Sequence, residues 1–108
     1  VILAFNGAIH VLGPASNLDG IALQIAYGTG TAPANGAAAA GTVAGATSGM
    51  RVATTVSSGA EVRQSWTPTA VVTGLTVGAT YWFDVQQEAT DGNFTASIFD
   101  ASCSAFEE

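Results

Sequence analysis

Lysine is absent from this sequence, and arginine occurs only at Arg51 and Arg63, against eight acidic residues. The formal net charge is −6 and the pI is near 4.2. A protein that holds nucleic acid displaces counterions from phosphates with cationic side chains, so this composition excludes nucleic acid as a partner. It also leaves no polybasic patch for an anionic lipid surface. A single cysteine excludes an internal disulfide, and one cysteine with one histidine excludes a Cys/His zinc cage. Neither a metal nor a cofactor is expected. No apolar run approaches the roughly 18 residues that a membrane-crossing helix needs, so no membrane insertion is expected. No basic flank precedes an apolar core at Val1, so no targeting peptide is read there.

What remains is a chain of 108 residues, 48% hydrophobic and only 9% charged, in which Ala, Gly, Thr and Ser supply about half of the positions. That length fits one domain over residues 1–108. Disorder is excluded by a mean hydropathy of +0.39 and by nine aromatic residues. Val, Ile, Thr and the aromatics favour strands over helices. A surface so poor in Lys and Glu does not suit a free monomer, which relies on charge to stay soluble. The composition therefore points to a surface spent on neighbours, either like copies or a larger assembly.

Strand signals recur along the whole chain. Val1–Phe5 is an apolar run closed by Asn6-Gly7, a turn-forming dipeptide, with Ala8–Leu12 as its expected return strand. Ile21, Leu23, Ile25 and Tyr27 alternate with Ala22, Gln24 and Ala26, which is the pattern of a strand with one buried face. Residues 28–49 hold six glycines and an Ala37–Ala40 run, and read as a long connection with one helical turn and a weak strand at Thr42–Ala44. Met50, Val52, Thr54 and Val56 alternate, Ser57-Ser58-Gly59 turns the chain, and Val62, Gln64 and Trp66 share one face of a partner strand. Tyr81, Phe83 and Val85 are expected to face inward, with Trp82, Asp84 and Gln86 on the other side. Asp91-Gly92-Asn93 is a hairpin signal, and the terminal strand is expected to bulge or bend at Asp100-Ala101. The sum is an all-β, antiparallel sandwich of about eight strands, jelly-roll-like, with a fibronectin type III or immunoglobulin-like sandwich as the alternative.

Catalytic constellations are missing. His10 has no acid or serine in a recognised motif beside it, and Ser57-Ser58-Gly59 lacks the strand-to-helix elbow of hydrolases. Asp84, Glu88 and Asp91 match no metal loop and read as a solvated acidic rim; six of the eight acids fall at or after Asp84. Cys103 lies in an alternating apolar segment and is expected as a buried free thiol. The chain reads as a non-enzyme. Trp66 and Trp82 are its largest side chains, and indole combines area with one polar handle. Trp82 is expected at a subunit interface, as a stacking platform for a sugar ring, or under a neighbouring loop. Trp82, Trp66, Asp84 and Gln86 are the candidate binding or interface residues.

Two segments, Ile21–Ala46 (IALQIAYGTGTAPANGAAAAGTVAGA) and Val72–Asp84 (VTGLTVGATYWFD), together with the closing strands to Phe106, resemble small domains of tailed-bacteriophage structural proteins. The resemblance spans roughly residues 18–108. It implies a jelly roll that trimerises on the virion surface, as a fibre or spike tip or as capsid decoration, contacting other virion proteins and in some cases a host surface glycan or receptor. A second resemblance competes. Leu75–Phe83 is similar to the tyrosine-corner segment of fibronectin type III domains, with Tyr81 near the start of the penultimate strand. That family's early core tryptophan is missing here. The second resemblance implies a monomeric extracellular spacer.

Overall fold

The computed structural model describes residues 1–15, 19–52, 55–90 and 95–107. Within them the chain forms seven strands and no helix. These are β1 (Ile2–Leu12), β2 (Gly20–Thr29), β3 (Thr42–Arg51), β4 (Glu61–Trp66), β5 (Thr69–Val71), β6 (Tyr81–Thr90) and β7 (Thr95–Phe106). All pairings are antiparallel and they build two packed sheets, which makes the chain a β-sandwich.

The first sheet is organised around β1. Its Leu12 half pairs with β4 and its Ile2 end with β5, while β7 runs along the whole of it. A strand has only two edges, so β4 and β5 share one of them, end to end. The break between them is Thr67-Pro68, where Pro68 has no N–H to offer a ladder and instead accepts at its carbonyl from Phe5 N–H at 3.0 Å. The second sheet has β2 at its centre, between β3 and β6. Only β2 and β3 pair as neighbours in sequence.

Asn6-Gly7 does not turn the chain. Leu3, Phe5, Ile9 and Val11 are all buried and all odd-numbered, so one alternation runs unbroken through the dipeptide. Partners on both edges give a continuous strand more ladder than a local hairpin would. The expected strands at Thr42–Ala44 and Met50–Val56 likewise fuse in part, as β3 continues to Arg51, while Val56 makes an isolated bridge to Ala15. These mergers explain seven strands where eight were expected. Asp91-Gly92-Asn93 lies outside the described residues, but the strands flanking it do not form a hairpin, since β6 pairs with β2 and β7 with β1. The irregularity at Asp100-Ala101 is present. Asp100 has φ 51°, and the register with β1 shifts by one between Asn6↔Ser102 and Ala8↔Phe99.

The core lies between the sheets. Leu3, Ile9, Val11, Leu23 and Ile25 are its largest fully buried side chains, each stabilising the fold by about 1.5–3 kcal/mol. One long side of the sandwich is sealed. There β3 bulges between Ala44 and Ser48 and swings toward β5. Gly45, at φ 74°, packs where a Cβ would meet Ala70 Cβ at 3.2 Å and Thr69 O at 3.3 Å, so the bend needs glycine both for its backbone angle and for the approach.

The other long side, between β6 and β7, is open. Phe83, Val85, Ala96 and Ile98 face the core but remain half-buried. Further along β7, Cys103 and Ala105 stand opposite buried Phe5 and Leu3 yet are exposed. Core-facing residues are therefore buried along the whole of β1 but not along the end of β7.

Candidate interaction surfaces

Trp66 is a core residue. Its position opposite Gly7 places it on the inner face with Val62 and Gln64, as the alternation predicts, but it alone of these is buried, at 8% exposure. The indole Nε1–H donates to Ser48 Oγ at 2.9 Å across the sealed side. It is not available as a surface platform, because the end of β3 closes over it. The residue identity carries no signal for this outcome; it follows from which strand becomes the neighbour.

Trp82, Asp84 and Gln86 do share the outer face of β6, as expected from the alternation, and all three are half-buried. Their neighbour is the chain's own connection between β2 and β3. Trp82 Nε1–H donates to Thr29 O at 3.2 Å. Its ring lies so close to Gly28 and Gly41 that a Cβ there would stand 2.5 and 2.4 Å from indole carbons. Gln86 Nε2 donates to Ala40 O at 2.5 Å, and its Oε1 accepts from Gln24 Nε2 at 2.8 Å. The connection is thus strapped over the second sheet, and Ala26 on that face is fully buried. Of the three arrangements open to Trp82, the structure displays cover by a neighbouring loop. The glycines that permit it were legible as a long flexible connection, but not as a seat for indole.

Beside the strap is an open hollow of about 710 Å³, lined by 33–39, Asp84–Gln87, Ser97 and Ile98. Among the described residues that line it, only Asp84 is charged, and both functional ends of Gln86 are already engaged. On the outer face of the first sheet, Arg63 forms an ion pair with Glu61 at 2.7 Å and stacks over Phe99 at 4.8 Å. His10 leans on the same ring, 5.5 Å between centroids, with Ser97 Oγ 3.4 Å from Nδ1. Among the described residues, no carboxylate bonds to that pair. This cluster ties β4, β1 and β7 together across the sheet, a contribution of about 0.5–1 kcal/mol for an exposed cation–π contact.

Cys103 is exposed rather than buried. Its inward register position matches the expectation, but no second layer covers it. Partial burial still pushes its thiol above the ordinary value of 9.0. Among the described residues, no three His, Cys, Asp or Glu side chains gather as a metal would require. Near the start of β6, Thr76 N–H donates to Tyr81 Oη at 3.0 Å, the backbone-to-phenol bond of a tyrosine corner. No protein-family model, curated protein or solved structure matches the chain.

Proposed function

We propose that this chain is a non-enzymatic structural domain of a tailed-bacteriophage particle, displayed on the virion surface as a fibre or spike tip or as capsid decoration, and that it works as an assembly of like copies, with three as the expected number. The single observation that carries this reading is that strand segments lie bare on both faces. Every described residue of β7 from Asp100 to Phe106 is exposed, and so is every residue of β4 before Trp66. A sandwich strand normally hides one face against the opposite sheet. Strands with neither face covered, in a chain with so few charges, suit a surface completed by neighbours. The assignment to a phage particle rests on the resemblance of Ile21–Ala46 and Val72–Asp84.

Light scattering or native mass spectrometry at micromolar concentration tests the assembly. The expected species is a multiple of 10.7 kDa, with the trimer foremost. A single-chain mass would overturn it and favour the second reading, a fibronectin-like spacer, for which the Tyr81–Thr76 bond is the specific support. That reading has its own difficulty. In immunoglobulin-like sandwiches the last strand joins the sheet of the penultimate one, whereas β7 joins β1. A glycan-binding role draws less support, because Gly41 of the strap lies against the Trp82 ring and Gln86 is bonded to Ala40 and Gln24.

A further inference from the structure

We propose that Asn35-Gly36, at the bend of the strap over the second sheet, is a site of spontaneous covalent modification. There the Asn35 side-chain amide is lost, and aspartate and isoaspartate form in its place. The reaction needs only water and does not depend on the assembly proposed above.

An asparagine amide is lost when the backbone nitrogen of the next residue gives up its proton and attacks Cγ. The new N–Cγ bond closes a cyclic imide, and the Cγ–Nδ2 bond breaks to release ammonia. Water then opens the ring. Breaking the N–Cγ bond leaves aspartate. Breaking the bond from that nitrogen to the main-chain carbonyl carbon leaves isoaspartate, whose backbone runs through Cβ and Cγ. One water enters and one ammonia leaves, with no oxidation or reduction. The attacking nitrogen has to be unhindered, which glycine allows because it has no Cβ. The backbone also has to rotate out of any ladder that holds it extended.

Three dipeptides of asparagine or aspartate before glycine fall among the described residues, and the fold treats them differently. Asp19 is only 4% exposed, and a Cβ on Gly20 would overlap Met50 O of β3. Asn6 is exposed, but it sits inside β1 with Ser102 opposite on one edge, and Gly7 faces Trp66 on the other. Gly7 is also packed so closely that a Cβ there would stand 3.3 Å from Ala101 Cα. Ring closure at Asn6 has to break the ladder first. Asn35 and Gly36 are both exposed and lie outside every strand. Gly36 has φ 79°, and a Cβ built on it meets nothing within 4 Å. The hydrogen bond that closes this turn, Ala37 N–H to Ala34 O at 3.0 Å, uses neither residue. Sequence alone makes Asn6-Gly7 and Asn35-Gly36 equals; only the fold separates them.

The position gives the change a consequence. The strap is pinned at one end by Trp82 Nε1–H on Thr29 O and at the other by Gln86 Nε2 on Ala40 O. Asn35 lies between the pins and lines the same hollow as Asp84. Its loss adds one negative charge to a chain that already carries −6 and places that charge in the hollow with Asp84. In the isoaspartate form it also adds one backbone atom between the pins.

Mass spectrometry of the folded chain, held in warm and mildly alkaline buffer, tests this, with chymotryptic peptides separating Asn6 from Asn35. The Asn35 peptide is expected to gain one mass unit about tenfold or more faster than the Asn6 peptide, since Asn6 reacts only when its ladder opens locally. In urea the ladder is gone, and the two rates are expected to converge. Aspartate and isoaspartate peptides of equal mass should both appear as separate chromatographic peaks. On isoelectric focusing, the early acidic band of the wild type should be missing from Asn35→Gln. Equal rates at Asn6 and Asn35 in the folded chain overturn the proposal, as does an Asn35 peptide of unchanged mass. Aspartate without isoaspartate overturns it too, because direct hydrolysis would then replace the imide.

Discussion

The two long sides of the sandwich start from similar material and finish differently. On the sealed side, β3 bends at Gly45 to lie against Ala70, and Trp66 fills the gap and bonds to Ser48. On the open side, β6 and β7 also carry core-facing hydrophobic residues, Phe83, Val85, Ala96 and Ile98, but among the described residues no strand bends across to bury them fully. The difference lies less in hydrophobicity than in one wide side chain and one left-handed glycine placed where two edges can meet. Burial in a thin sandwich depends on closing its sides as well as on stacking its faces.

The comparison can be attacked from either side. Trp66→Ala should do most damage, about 3–5 kcal/mol in a urea titration, because the sealed side has no other large side chain to fill the void. A loss below 1 kcal/mol would mean that this side is not sealed by Trp66 at all. On the open side, Ile98→Ala should cost clearly less, roughly 1–2 kcal/mol, since only part of the side chain leaves water. Its neighbour across the ladder, fully buried Ile9, should cost about 2–5 kcal/mol when cut to Ala. Equal losses for the two would erase the distinction drawn here.

Tyr81→Phe should lower stability by about 0.5–1.5 kcal/mol, the worth of one hydrogen bond, by removing the acceptor of Thr76 N–H. Val77→Ser, at a fully exposed position, should move the unfolding midpoint by no more than about 0.5 kcal/mol equivalent.

Cys103 gives a check by pH. Its raised thiol pKa means that the fold favours the protonated form. This bias has no effect on stability below the ordinary thiol value, and it turns against the folded state as pH climbs through the raised one. At a given pH near neutral, iodoacetamide should therefore alkylate the folded chain more slowly than the urea-unfolded chain. A faster reaction when folded would contradict the raised value.

Within single strands, much was written in the residues. Alternation placed Ile21, Leu23 and Ile25 in the core and set Trp82, Asp84 and Gln86 opposite Tyr81, Phe83 and Val85. It also located the irregularity at Asp100-Ala101. The same rule was available across Asn6-Gly7, where odd-numbered apolar residues continue from Leu3 to Val11, but the turn propensity of the dipeptide pointed the other way. A local preference worth about 1 kcal/mol or less gives way when a straight strand gains partners along both edges.

The candidate residues separate along the same line. Which face a side chain takes follows from a period of two, a property of the strand alone, and the amino-acid sequence determined it for Trp66, Trp82, Asp84, Gln86 and Cys103 alike. Whether that face is covered depends on which distant segment arrives there. Trp66 disappeared beneath β3, Trp82 took the connection's glycines as its seat, and Cys103 was left exposed toward the end of β7. These outcomes belong to the tertiary structure, because every pairing but β2 with β3 joins segments far apart in the chain, and a periodicity read over a few residues holds no record of what lies across from it.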